Sequence, residues 1–399
     1  MRKIFFGLFL ILFGIISTIY YSKLRFIDND ELIGVISRNF FNSKMENPKP
    51  FEVKGRSVSY SLTINSSLQK YCRKLLKRYK TPYSAVVVLD NNTSEILAMA
   101  GYDRKHNKKY DELTLSTTNP GASLFKIVSS AALLETKKVK ANSFVSYNGK
   151  GTTLYKYQLK NRRNKWTRSI SLKRSFAHSN NVSFGKFAQK YLSPVDLLNM
   201  AERFGFNKPL LSVINSSKSS FTLAKSDYQL AEFSSGFNKV NTISPLHAAY
   251  LSSVVANDGI RSRIKLVKNI FIDNDLVDLH KRKIREEQKY RVFSKNTASQ
   301  LKSFMLETVK NGTARGLGRL SRRNLRHKLR IGAKTGSITG GFPEGKREWI
   351  TAFAQPKDSS KKKGISVAVI NVLDKKWYVR SSYIARKVIE YYYTKVSKI

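Results

Sequence analysis

The chain has 399 residues, 41% of them hydrophobic and 12% aromatic, which is enough to bury a sizeable core and excludes disorder as the default state. A single cysteine, Cys72, excludes an intramolecular disulfide framework, and five scattered histidines show no zinc-ligand spacing, so neither a metal nor a cofactor is expected. Lys and Arg outnumber Asp and Glu 73 to 27, a formal net charge of +46, but no nucleic-acid-binding module accompanies the charge, so nucleic acid is not an expected partner.

Two readings of the charge stay open: a generally basic solvated surface, or attraction to anionic envelope polymers and lipid head groups. The cations spread along the whole chain, with denser stretches at Lys160–Arg174, Arg322–Arg330 and Lys361–Lys363. That distribution favours a surface property over one dedicated site.

In chain order, Met1, Arg2 and Lys3 precede an apolar run from Ile4 to Tyr21. At ~1.5 Å per helical residue this run just spans a hydrocarbon core of ~30 Å. It lacks a small-x-small cleavage site and ends in tyrosines, as an interfacial belt does. The expectation is an uncleaved single transmembrane helix over 4–21 with residues 1–3 in the cytoplasm. Residues 22–56, with Pro48 and Pro50, are expected to form a juxtamembrane connector, and 57–399 the main domain. Leu68, Tyr71, Leu75, Leu76 and Tyr79 recur at helical spacing behind a cap at Asn65, predicting an amphipathic helix over 66–80. Ala85–Leu89 and Glu95–Met99 around Asp90–Ser94 predict a hairpin. Trp349–Ala354 and Ile365–Val372 flank a turn-forming stretch, and a last helix is expected over 381–395. Strands near both ends with a helix-rich middle predict an α+β fold, with an antiparallel sheet built from N- and C-terminal segments and flanked by helices.

The chemistry centres on Asn119–Val128, which reads as a loop turning into an apolar helix. Ser123 stands in its first turn, with Lys126 on the same face three residues later. Serine needs a base to act as a nucleophile, and a lysine buried among apolar groups loses its proton because burial disfavours the charge. The helix N-terminus also offers free backbone N–H groups where an oxyanion could form. The same S-x-x-K spacing recurs at Ser183/Lys186, Ser299/Lys302 and Ser359/Lys362, so order along the chain must decide. Ser179-Asn180-Asn181 follows as an S-x-N triplet and Lys334-Thr335-Gly336 as K-T-G, the set shared by penicillin-binding proteins and β-lactamases. The plainer alternatives are a helix cap for Ser179 or Asn181, and an ordinary strand glycine at Gly336.

The resemblance is wider than these triplets. Leu62–Gln69, Ala85–Asp90 and Ile96–Ala100 resemble the entry to the transpeptidase domain of high-molecular-mass penicillin-binding proteins, and Pro120–Ser123 with Phe125-Lys126 resembles the nucleophile segment. Phe204-Gly205-Phe206, Ser244–Ala249, Ala256–Gly259 and Gly312-Thr313-Ala314 are also similar, in family order, so that the likeness runs from about Ser57 to the C-terminus. The chain thus resembles a short class B penicillin-binding protein.

The resemblance implies that Ser123 attacks the penultimate D-Ala carbonyl of a peptidoglycan stem peptide, with Lys126 as base. It also implies that Ser179 relays a proton to the leaving D-Ala, that Lys334 supports Ser179, and that Asn181 binds the peptide amide. Thr335, Gly336 and Ser337 would bind the substrate end, with Thr335 and Ser337 holding the terminal carboxylate. The backbone N–H groups of Ser123 and Ser337 would form the oxyanion hole. Ser337 keeps a hydroxyl where the family often has threonine. The implied ligands are stem peptides and β-lactams. The implied location is single-pass in the cytoplasmic membrane, with the catalytic domain on the extracytoplasmic side. Only residues 22–56 lie between the apolar run and the matched region, too few for a pedestal domain through which a glycosyltransferase partner would ordinarily dock.

Within this class D,D-transpeptidase, D,D-carboxypeptidase and β-lactamase stay open, separated by whether an amine or water resolves the acyl-enzyme. No class A glutamate motif is visible, and the S-x-N triplet departs from the class D pattern. A non-catalytic β-lactam sensor is a further alternative, against which stands the retention of both Lys126 and Lys334.

Overall fold

The computed structural model describes residues 26–397 apart from 44, 46–48, 212, 280, 283–288, 359, 361–363 and 375. The apolar runs near the two ends of the chain find one another in a six-stranded antiparallel sheet. Its order is Leu329–Thr339, Lys346–Pro356, Ile365–Leu373, Tyr83–Asp90, Ile96–Asp103 and Lys108–Lys109. The hairpin expected around Asp90–Ser94 is its fourth and fifth strands, and Ala85 pairs with Ile370 across the join between the two chain ends. Every residue of Ile365–Leu373 is buried, which is why this strand reads as a continuous apolar run with no polar alternation.

Helices cover both faces. Ser66–Arg78, capped by Asn65 accepting from the Leu68 N–H, and Ser381–Tyr391 pack their apolar stripes on one face around Val86, Val88, Val367 and Val369. The opposite face meets Pro245–Ala256, a helix apolar on all sides and buried along its whole length. At the contact Ser252 Oγ lies 2.7 Å from Thr351 Oγ1. The strand Leu329–Thr339 ends the sheet, and among the described residues it pairs only with Lys346–Pro356 and no strand covers its outer edge.

A smaller compact unit gathers the described residues up to Thr63 with 211–215 and 266–282. The stretch expected to be a connector contains a helix, Asn29–Asn42, capped by Asp28, and the strand Phe51–Val53. The strand Arg56–Leu62 pairs on one side with Phe51–Val53 and on the other with Val267–Ile272. The domain boundary expected at 57 is therefore crossed by a sheet. The physical reason is that a lone hairpin is marginal in water, and the alternating burial of Arg56–Leu62 calls for a third strand, which only a distant segment supplies. The transmembrane helix expected over 4–21 lies outside the described residues. Among those that are described, no helix is long and apolar enough to cross a membrane.

Candidate active site

The nucleophile stands on a turn that several elements pin from below. Asn119–Pro120 pairs with Thr242–Ile243, the buried Arg347 donates from Nε to Asn119 Oδ1 at 3.1 Å, and Trp349 Nε1 donates to the Pro120 carbonyl at 3.1 Å. Ala122 then takes a left-handed backbone, φ +47°, and Ala122–Phe125 forms a 3₁₀ turn that leads into the helix Lys126–Glu135. In a 3₁₀ turn side chains three residues apart eclipse, so Ser123 and Lys126 line up more closely than on an α-helix. Their Oγ and Nζ are 2.9 Å apart.

Lys126 is fully buried. Burial, reinforced by the charge of Lys334, holds its amine well below the ordinary lysine range. Its other two neighbours are acceptors: it donates to Asn181 Oδ1 at 2.6 Å and to the Ser235 carbonyl at 2.5 Å. A neutral amine has two N–H bonds and one lone pair. In that neutral form, with both N–H bonds on the Asn181 and Ser235 acceptors, the lone pair would face the Ser123 hydroxyl.

The S-x-N triplet leads from the helix Leu172–Ala177 into the helix Asn181–Tyr191, of which Asn181 is the first residue. The cap of the second is Asn180, whose side chain accepts from the Ser183 N–H at 3.0 Å. Neither Ser179 nor Asn181 caps a helix, so the plainer reading of those two residues does not hold. Ser179 has a left-handed backbone, φ +57°, and its Oγ lies 2.9 Å from Lys334 Nζ. Asn181 is buried with both ends of its amide engaged, Oδ1 by Lys126 and Nδ2 donating to the Thr152 carbonyl at 2.8 Å. Lys334 is fully buried as well, and burial pulls its amine down to about 7.

The third wall is the edge strand Leu329–Thr339. Gly336 packs so closely on the nucleophile turn that a Cβ there would lie 3.2 Å from Ala122 Cβ and 3.3 Å from the Ser123 nitrogen. That approach brings the backbone around Ser337 beside the N–H of Ser123. Thr335 Oγ1 is 2.5 Å from Thr313 Oγ1, and Ser337 is exposed at the mouth. All eight sequence-predicted residues therefore converge. Two of the rival S-x-x-K pairs do not form, since Lys186 donates to the Lys160 carbonyl and Lys302 pairs with Asp258; the third, Ser359/Lys362, lies outside the described residues.

Sequence reasoning missed Ser235, Gly236, Asn180 and Thr152. Gly236 ends the helix Asp227–Ser235 with φ +70°, and a Cβ on it would stand 1.9 Å from the Ala122 carbonyl oxygen. A helix followed by Ser-Ser-Gly was a readable C-cap signal, but nothing local said that the cap abuts the nucleophile. Among the described residues no group of His, Cys, Asp and Glu could hold a metal ion. What the arrangement offers is a serine hydroxyl beside an amine whose proton affinity burial lowers, with a second serine–lysine pair across the cleft. This is equipment for covalent acyl transfer.

Comparisons with known proteins agree. A family model described as the penicillin binding protein transpeptidase domain matches residues 84–386. No curated protein matches the chain by sequence. Among solved structures, the D,D-transpeptidase domain of a peptidoglycan glycosyltransferase from Eggerthella lenta superposes with a TM-score of 0.67 at 21% identity, covering 91% of this chain and 88% of its own. The imipenem acyl-enzyme complex of penicillin-binding protein A from Mycobacterium tuberculosis gives 0.63 at 22% identity, covering 90% and 83%. Penicillin binding protein 3 of the same organism, complexed with aztreonam, gives 0.67 at 16%, covering 86% and 80%. At these identities the structural likeness shows the fold.

Proposed function

Since the chain belongs to the penicillin-binding protein transpeptidase domain family, we infer that it is a D,D-transpeptidase that cross-links peptidoglycan stem peptides through an acyl-enzyme on Ser123. The observation that carries the reading is the 2.9 Å approach of Ser123 Oγ to a buried Lys126 whose other neighbours are both acceptors.

In the proposed reaction, Ser123 Oγ bonds to the penultimate D-Ala carbonyl carbon as its proton passes to Lys126 Nζ. The oxyanion is held by the N–H groups of Ser123 and Ser337. The D-Ala–D-Ala C–N bond breaks, and the leaving amine takes a proton from Ser179 Oγ, which Lys334 replaces. An amine of a second stem peptide then attacks the ester. Its proton returns to the Ser179–Lys334 pair, and Lys126 gives its own back to Ser123 Oγ. Thr335 and Ser337 hold the terminal carboxylate, with Gly336 allowing the close approach of the strand. The free outer edge of Leu329–Thr339 suits an extended peptide laid on as a further strand. Asn181, besides facing the substrate amide, keeps Lys126 in line. β-Lactams acylate Ser123 as well in this reading, in keeping with the imipenem acyl-enzyme complex formed by penicillin-binding protein A from Mycobacterium tuberculosis.

The reading includes anchoring by the apolar run 4–21 with the catalytic domain outside the cytoplasmic membrane, where stem peptides are found. Protease digestion of the domain in spheroplasts with an intact inner membrane tests this. For the activity, the full chain is labelled with a fluorescent penicillin and then given a D-Ala-D-Ala peptide with an acceptor amine. A stable adduct lost in Ser123→Ala, and a product carrying the amine with release of D-Ala, is the expected outcome. Hydrolysis without amine transfer makes the protein a carboxypeptidase, rapid release of the label makes it a β-lactamase, and no adduct overturns the reading.

A further inference from the structure

Along the sequence the cations run through the whole chain with a few denser stretches, and the fold brings cations from several of these regions together. Lys173, Lys310, Arg315, Arg326, Arg330 and Lys357, from distant stretches of the chain, line one groove of about 870 Å³. No Asp or Glu occurs anywhere from 308 to 343. The one carboxylate in the lining, Glu307, already accepts from Asn311 Nδ2 at 2.8 Å. None of the six cations takes part in an ion pair among the described residues. Like charges gathered in a concavity with a single carboxylate among them repel one another and focus a positive potential outward, so the groove is complementary to an anion from outside.

The lining also restricts which anion. Between the cations the wall is aliphatic, with Leu306, Val309 and Leu329, and it contains no aromatic ring. Single-stranded nucleic acid is ordinarily held by stacking on aromatics, which this groove lacks. A bilayer presents a broad face that does not enter a cleft. Four of the lining cations, counting Arg319, are arginines, whose planar fork matches phosphate oxygens in pairs. So many cations in one cleft match a chain with a charge on every repeat better than a stem peptide with isolated carboxylates. Three walls of the groove run on into the active site: Lys173 stands on the helix before Ser179, Lys310 ends the helix before Thr313, and Arg330 shares a strand with Lys334.

We propose that this groove binds a linear polyol phosphate polymer, holding the enzyme on an anionic polymer beside the wall it works on. The inference does not depend on which acyl acceptor the enzyme uses. The test measures binding of the full chain to fluorescently labelled poly(glycerol phosphate) over a salt series. It compares wild type, the triple variant Lys310→Ala/Arg326→Ala/Arg330→Ala, and a control that removes exposed cations elsewhere, Lys74→Ala/Lys77→Ala. Penicillin labelling is read in parallel as a check on folding and on the catalytic site. The expected result is a loss of about tenfold or more in affinity, with a shallower salt dependence, for the groove variant alone, while penicillin labelling stays unchanged in all three. Equal losses in the groove and control variants would assign the binding to diffuse charge and overturn the proposal. So would no binding by wild type, equal groove-dependent binding of poly-L-glutamate, or groove-dependent capture by phosphatidylglycerol vesicles in place of the polymer.

Discussion

The cleft contains two serine–lysine pairs with the same separation, 2.9 Å, and different origins. Ser123 and Lys126 are three residues apart where a 3₁₀ turn runs into a helix, while Ser179 and Lys334 meet across 155 residues, from a turn between helices and from an edge strand. Both lysines are fully buried, and burial lowers both. Lys126 also feels the charge of Lys334, which acts in the same direction as burial, and it is tied to two acceptors, Asn181 Oδ1 and the Ser235 carbonyl. Lys334, held near neutrality, can carry or release a proton at working pH. The comparison teaches that one residue type supplies both a base and an acid when the same burial is combined with different neighbours.

The largest test of that division is removal of each lysine. Lys126→Ala is expected to slow acylation by fluorescent penicillin by about 10³-fold or more, and Lys334→Ala by about 10²-fold. Equal losses would mean that the two pairs act as one unit. Next in size is Gly236→Ala, where a methyl group 1.9 Å from the Ala122 carbonyl must push the nucleophile turn aside at a position with φ +70°. It should cost about 1–3 kcal/mol of stability in thermal unfolding and slow acylation more than the Ser179 side of the cleft is disturbed.

The pH dependence sharpens the comparison. Acylation should fail at low pH as Lys126 gains a proton, and decline above about 7 as Lys334 loses one. In Lys334→Ala the alkaline decline should vanish while the acid limb stays. Stability carries a related signature. Between about 7 and 10.5 the unfolded chain binds the Lys334 proton and the folded chain does not, so stability rises with pH across that window. Lys334→Met should remove part of that rise and leave the variant more stable than wild type below pH 7, as read by urea unfolding at several pH values.

The smallest effect is expected at Thr313, which touches the K-T-G side of the cleft only through the Thr335 hydroxyl. Thr313→Ala should raise KM for a D-Ala-D-Ala peptide about threefold with little change in kcat, in keeping with the net strength of one hydrogen bond. A loss confined to kcat would place Thr313 with the acid pair.

Much of the site was legible before any fold was known, because Ser123 and Lys126 are neighbours by helix geometry and the two later triplets follow in order. The helix behind Asn65 and the hairpin around Asp90–Ser94 were legible too, since caps and turns are written in adjacent residues. Asn180 was not, because an asparagine inside Ser-Asn-Asn can cap or face the cleft, and only the Ser183 N–H identifies it as the cap. Ser235 was not legible either. Its contribution is a backbone carbonyl, which every residue has, and its meaning comes from lying 2.5 Å from Lys126.

The sequence by itself determined the chemistry of the residues and the local geometry of each element: which serine has a lysine one turn on, where helices begin, and which strands run apolar enough to be central. Tertiary structure alone decided which serine–lysine pairs form, since only packing encloses Lys126 beside Ser123 and Lys334 beside Ser179, while Lys186 turns to the Lys160 carbonyl and Lys302 to Asp258. It also decided that Arg56–Leu62 belongs in a sheet with Val267–Ile272, and that cations far apart in the chain share one groove. Desolvation and the summing of charge depend on distance in space, which the order of residues along a chain does not specify.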